Sequence, residues 1–178
     1  VVALDRSIDK LRGLENIFGA RVVTAFASRE AIERHVLSAD LVIGAVLVPG
    51  AAAPKLVTRA LVGRMKPGSV LVDVAIDQGG CFETSRPTTH DDPIYTVDGI
   101  VHYCVANMPG AVPRTSTIAL GNATMPFMLA LADKGWKRAC EEDHHLLNGL
   151  NVHAGKLTNY AVGEALGIDV LSPRLALR

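Results

Sequence analysis

Ser69-Val70-Leu71-Val72-Asp73-Val74-Ala75-Ile76-Asp77-Gln78-Gly79-Gly80 runs from a β-branched, apolar stretch into a polar exit with paired glycines. Val70 to Ala75 is too apolar for a half-solvated edge strand. It reads as a strand covered on both faces, which is typical of a parallel sheet flanked by helices. Ser69 to Ala75 is therefore assigned to a strand. Asp77 to Asp92, with its glycines, Cys81 and Pro87, is assigned to a long loop at the strand's carboxyl end. Loops in that place usually carry function.

The same alternation extends upstream. Leu41-Val42-Ile43-Gly44-Ala45-Val46-Leu47-Val48 is a second strand expected to be buried on both faces. Pro49-Gly50 ends it, a helix is expected from Lys55 to Met65, and Lys66-Pro67-Gly68 turns into the next strand. Ser28 is placed to cap a helix carrying Ala31, Ile32, His35, Val36 and Leu37, and Arg21 to Thr24 reads as the strand before it. Ser7 to Phe18 has apolar residues at three- and four-residue steps, with Ser7 as N-cap and Gly19 as the stop. Val1 to Leu4 is a strand candidate that ends in Asp5. It opens the sequence inside an apolar run and without Met, so we expect further chain upstream. Downstream, Tyr95-Thr96-Val97 and Ile100 to Val105 are two short strands around Asp98-Gly99. From Asn107 the character changes. Met108-Pro109-Gly110-Ala111-Val112-Pro113-Arg114 is a proline connector, and helices are expected over 115–134, 137–147 and 154–166.

Strands alternating with helices imply an α/β fold with a parallel sheet and right-handed crossovers. An acid at the end of the Val1–Leu4 strand fits the residue that binds the adenine-ribose hydroxyls in a Rossmann-type sheet. The glycine-rich phosphate loop belongs about 20 residues upstream of such an acid. We therefore expect an incomplete Rossmann-type sheet, lacking its first strand and glycine loop, over residues 1–107. The helical residues 108–178 follow as part of a second domain. Arg6 beside Asp5 leaves room for NADP, since a cation can pair with a 2′-phosphate.

At the Val72–Gly80 exit, the glycines allow close approach of a ring or phosphate. Asp77 is placed to accept from a ribose or to relay a proton near a nicotinamide; alone, it equally fits the start of a tight turn. Asn107 at a strand end suits a carboxamide or ribose, and Met108 suits packing on a flat ring. Arg114 is a candidate anion contact at a helix start.

Composition excludes several classes. The chain has 178 residues, 49% hydrophobic and 20% charged, which fits a packed core and not disorder. Eighteen basic residues balance eighteen acidic ones, and aromatic residues are 4%, so no basic field or stacking platform marks a nucleic-acid binder. No apolar run of about 18 residues suggests a membrane span, and no signal-peptide pattern opens the chain. Cys81, Cys104 and Cys140 are scattered, as in a cytoplasmic protein with reduced thiols, and no metal site is expected. His144-His145 beside Glu141, Glu142 and Asp143 reads as a solvated helix end, because adjacent helical residues do not share a face.

Taken together, five stretches resemble the alanine dehydrogenase family, which includes the pyridine nucleotide transhydrogenases. They are VVALDRSIDKLR (1–12), ADLVIGAVLVPGAAAPKLV (39–57), GSVLVDVAIDQGGCFETSRPTTHDDP (68–93), HYCVANMPGAVPRTSTIALGNAT (102–124) and GLNVHAGKLTNYAVGEALG (149–167). The resemblance implies reversible oxidative deamination of L-alanine to pyruvate and ammonia with NAD as hydride acceptor. By position, it implies cofactor contacts at Asp5, Lys10, Val46, Leu47, Val74, Asp77, Val105, Asn107 and Met108, with Asp77 also catalytic. Ala27 stands where the family often has a small hydroxyl residue. The lysine, histidine and arginine that the family uses in an amino-terminal substrate domain have no counterparts here. A homo-oligomer, commonly a hexamer, is also implied. Two other readings are kept beside this one. One is a transhydrogenase-type nucleotide-binding subunit. The other is a non-catalytic fragment that associates through an exposed sheet edge at Val1 to Leu4.

Overall fold

The computed structural model describes residues 1–48 and 52–178, so the expected Pro49-Gly50 break lies outside the described residues. The chain forms two compact units, one built from Val1–Val48 and Ala52–Met108, the other containing Pro109–Arg178.

The first unit is α/β. β1 (Val2–Asp5) and β2 (Val23–Phe26) form a parallel pair in the register Val2 to Val23 and Asp5 to Phe26. α1 (Ile8–Phe18) joins them. The Ser7 hydroxyl accepts from the Lys10 amide at 3.4 Å to start it, and Gly19, at φ 55°, ends it. A 3-10 turn over Gly19–Arg21 delays β2 by two residues from its expected start. α2 (Arg29–Ser38) is capped by Ser28, whose hydroxyl accepts from the Ala31 amide at 3.1 Å.

The second sheet has the order β3-β4-β6-β5, from β3 (Leu41–Gly44), β4 (Val70–Asp73), β5 (Ile94–Val97) and β6 (Ile100–Tyr103). β3, β4 and β6 are parallel, whereas β5 runs antiparallel to β6. That hairpin turns at Asp98 (φ 51°) and Gly99 (φ 79°), the positive-φ pair a two-residue hairpin demands. The expected parallel sheet is present in β3, β4 and β6, and the two short strands expected around Asp98-Gly99 add an antiparallel edge. Among the described residues β1 pairs only with β2, and β3 only with β4.

Two further expectations change. The Leu41–Val48 strand stops at Gly44, and its side chains alternate: Leu41 is 54% and Ile43 61% exposed, while Val42 and Gly44 face inward. Among the described residues, no helix of the first unit covers the face carrying Leu41 and Ile43. The Lys55–Met65 helix shrinks to α3 (Arg59–Val62), capped by Thr58, because Ala53 to Val57 are extended against the loop after β4. Between sheet and helices, Val57, Val62, Leu71, Phe82 and Ile100 form the core, each at most 2% exposed. Burying each such side chain contributes about 1.5–3 kcal/mol.

The second unit is mainly helical. α4 (Pro113–Glu142) is interrupted at Gly135, whose φ of 73° and ψ of 159° no helix accommodates. Asp143 ends it and caps α5 (His144–Asn148). The helix expected from Ala154 is corrected: Ala154 (φ 48°) and Gly155 (φ 73°) turn a short hairpin, β7 (Val152–His153) with β8 (Lys156–Leu157). Helix resumes only at α6 (Tyr160–Leu166), followed by α7 (Pro173–Ala176). No described helix is long and apolar enough to cross a membrane.

Candidate functional site

Register aligns the carboxyl ends of the parallel strands. Gly44 pairs with Asp73, and Val72 with Tyr103, so the chain leaves β3, β4 and β6 along one edge of the sheet. The segments beyond that edge are Ala45 to Val48, Val74 to Gly80 and Cys104 to Met108. Ligands of open α/β sheets bind beyond such ends.

The middle segment is built around Asp73, which is fully buried. Its Oδ1 accepts from the Ala75 amide at 3.1 Å and the Cys81 thiol at 3.4 Å. Its Oδ2 accepts from the amides of Cys81 at 2.8 Å and Phe82 at 3.4 Å, and from the Ser85 hydroxyl at 2.5 Å. One carboxylate thus fixes both the start of the 3-10 turn over Val74–Gln78 and the return of the chain at Cys81. Burial first, and the Asp73 charge second, push the Cys81 thiol up to about 12, so it is a proton donor and not a nucleophile. Two glycines make this closeness possible. A Cβ on Gly44 would stand 2.7 Å from Phe82 Cζ and collide with Cys81 Sγ; one on Gly80 would lie 2.7 Å from Asp73 Oδ2.

The opposite side of the loop is held by the segment after β3. The Ala53 amide donates to Gln78 O at 2.9 Å, and the Leu56 amide to Cys81 O at 2.7 Å. Between them Lys55 Nζ donates to Gly79 O at 2.5 Å and Gly80 O at 2.8 Å. Farther back, His102 is buried and neutral. Its Nδ1 donates to Ile100 O at 3.0 Å, so Nε2 accepts from the Thr84 hydroxyl at 2.7 Å, and burial lowers its pKa. Tyr95 stacks on it with centroids 4.9 Å apart, donates to Thr84 O and accepts from the Arg86 amide. Burial raises the Tyr95 pKa.

The residues singled out from sequence fall as follows. Asp77 lies in the 3-10 turn with its side chain exposed, and no hydrogen bond to its carboxylate is found among the described residues. Val74 beside it is 48% exposed. Leu47 is exposed, while Val46 packs against the core. Asn107 is exposed in a left-handed conformation (φ 59°), and its carbonyl accepts from His90 Nε2 at 3.1 Å. Met108 is half-buried and begins a 3-10 turn. Val105 is fully buried, so its side chain offers no surface and only its backbone is available to a ligand. Asp5 closes β1; its Oδ1 accepts from the Ser7 amide at 2.8 Å and its Oδ2 lies 3.9 Å from Lys10 Nζ. Arg114 sits in the first turn of α4, in the second unit. Asp73 and Lys55 were not anticipated. The signal for Asp73 was present, since an acid inside an apolar strand must find donors. Lys55 carried no signal, because its partners are backbone carbonyls 24 and 25 positions away.

Residues 1–160 match the family model described as alanine dehydrogenase/PNT, C-terminal domain. The alanine dehydrogenase of Halomonas elongata is 64% identical over 169 residues, which is 95% of this chain and 46% of that protein. A solved L-alanine dehydrogenase superimposes with a TM-score of 0.80 at 51% identity, covering 94% of this chain and 46% of that one. A transhydrogenase from Sinorhizobium meliloti superimposes with a TM-score of 0.67 at 23% identity, covering 90% and 42%, a likeness of fold alone. The chain spans about half the length of these relatives. The family model over residues 1–160 and the relatives at this identity show that the chain belongs to the alanine dehydrogenase/PNT C-terminal domain family.

Proposed function

We propose that this chain is the cofactor-binding half of an NAD-dependent alanine dehydrogenase, an oxidoreductase that converts L-alanine reversibly to pyruvate and ammonia. The observation that carries the reading is the exposure of Asp77 and Asn107 on loops leaving one edge of the parallel sheet. The residues present fit a dinucleotide. Asp5 keeps acceptor capacity beyond its Ser7 bond for ribose hydroxyls, and Gly79, whose added Cβ would meet nothing within 4 Å, leaves space beside Asp77. Bound NAD supplies the hydride acceptor. Asp5 would orient the adenosine end, with Lys10 Nζ 3.9 Å from the Asp5 carboxylate. Val46, Leu47, Val74, the Val105 backbone and Met108 would supply contacts that exclude water. Asn107 would direct the carboxamide, and the exposed carboxylate of Asp77 would accept from a ribose hydroxyl or relay a proton on the nicotinamide side. Negative charge at Asp5 disfavours a 2′-phosphate, which argues for NAD over NADP.

In this reading residues 1–107 belong to the nucleotide-binding domain and 108–178 to the helical part of the substrate domain. A strand supplied by the rest of the protein completes the sheet beside β1 and β3. We infer a homo-oligomer, a hexamer by family resemblance, and a cytoplasmic location, which the three free buried cysteines favour. The test is NADH oxidation by a complete chain in which the amino-terminal half of the Halomonas elongata relative precedes Val1. Oxidation that requires both pyruvate and ammonium is expected. NADH binding without such turnover would overturn the dehydrogenase assignment.

A further inference from the structure

We infer that Lys55 is a positioning residue for the Asp77 loop, acting through the carbonyls of Gly79 and Gly80. This rests on the assignment of Asp77 to the cofactor site made above.

Four consecutive carbonyls, Gln78 to Cys81, accept hydrogen bonds from the segment Ala53 to Leu56. The outer two bonds come from backbone amides and would survive any side-chain change. The inner two come from one ammonium, at 2.5 and 2.8 Å. Gly79 and Gly80 both have positive φ, 86° and 75°, and this pair of turns aims two successive oxygens at one nitrogen. Neighbouring carbonyls so aligned repel each other unless a cation stands between them. They also sit at the carboxyl end of the Val74–Gln78 turn, where carbonyls lack intrahelical donors. Asp77 is two residues from the first of them. On the other face, Gly80 packs against the buried Asp73 and the half-buried Ser85, so the corner has no room to relax inward. Losing the ammonium therefore lets the corner move outward, and the exposed carboxylate of Asp77 moves with it. Because the Lys55 side chain is exposed and the Ala53 and Leu56 amides keep their own bonds to Gln78 and Cys81, its loss displaces the site without unfolding the unit.

The experiment uses the complete chain with its amino-terminal half, comparing Lys55→Met and Lys55→Arg with the parent. For Lys55→Met we expect kcat to fall about tenfold, since small misplacements near the reacting groups are costly. The thermal midpoint should stay unchanged, faster amide exchange should be confined to residues 76–81, and Lys55→Arg should recover most of the rate. A Lys55→Met enzyme with parental kcat and exchange would overturn the inference while leaving the dehydrogenase assignment intact. A rate loss matched by a drop in thermal midpoint would reduce Lys55 to general stability and equally overturn it. If the parent itself does not turn over pyruvate and ammonium, the functional assignment fails. Amide exchange at 76–81 then decides the Lys55 role by itself, with unchanged exchange in Lys55→Met counting against it.

Discussion

At Asp73 five donors converge on one carboxylate: the amides of Ala75, Cys81 and Phe82, the Cys81 thiol and the Ser85 hydroxyl. Only an anion accepts from all of them. An amide at this position would turn N–H groups toward other N–H groups, and a buried donor left unmatched costs about 1–3 kcal/mol. Asp73→Asn is therefore expected to lower stability by about 3 kcal/mol, read from the denaturant midpoint, with activity falling as the loop loosens. A stability within 0.5 kcal/mol of the parent, roughly the scatter of surface changes, would mean the loop has another anchor. Asp77, four positions on, has no such partners among the described residues and an exposed side chain. Asp77→Asn should leave the midpoint in place and reduce kcat about a hundredfold, within the range general acid–base groups supply. NADH affinity should change far less. Equal losses in turnover and NADH affinity would make it a cofactor anchor only.

At the scale of elements, β6 carries the buried His102, which bonds Ile100 O within its own strand and Thr84 in the loop after β4. Its pKa is lowered by burial, so the folded chain resists protonation more than the unfolded chain does. The unfolded state then binds more protons below the ordinary histidine value of about 6.5. Stability supplied by neutral His102 is complete above that pH and is lost as pH falls toward the lower folded value. Urea midpoints should therefore drop between pH 7.5 and pH 5.5, and His102→Gln should flatten the drop at this site. An identical slope in the variant would assign the loss to other groups. The elements also show what was readable beforehand. Ser7, Ser28 and Gly19 mark helix ends through bonds or torsions a few residues away, and those signals were legible. The helix expected over Lys55–Met65 failed because Ala53 to Val57 bond to residues 78–81, a long-range pairing with no trace in local periodicity. Likewise the pattern 154–166 looked helical, yet Ala154-Gly155 turns a hairpin, since hydrophobic spacing does not report positive φ. Asp5, Asp77 and Asn107 were legible as strand-end polar residues, whereas Lys55 was not, its partners being backbone atoms.

For the molecule as a whole, the division of the first unit's strands into two sheets has a physical consequence. β1 and β3 each have one partner strand among the described residues, so each offers a row of unpaired backbone groups. Beside those rows lie apolar side chains, Leu41 and Ile43 on β3 and Val2 on β1, all at least 40% exposed. In a doubly wound sheet of the order 3-2-1-4-5-6, β1 and β3 would correspond to the second and fourth strands, with the first strand between them. A single parallel strand would then complete both ladders, and the helix of its crossover would cover Leu41 and Ile43. Expressed alone, the chain should satisfy these edges by pairing with copies of itself. Size-exclusion chromatography with light scattering is expected to give species larger than a monomer, growing with concentration. Joined to an amino-terminal half, it should give one defined oligomer and bind NADH with much higher affinity, because the glycine loop expected upstream of Asp5 would offer backbone N–H groups to the pyrophosphate. A chain that stays monomeric alone up to about 50 μM, a concentration at which exposed edges commonly associate, would show that its edges are already protected. The completing strand would then not be what holds β1 and β3 together.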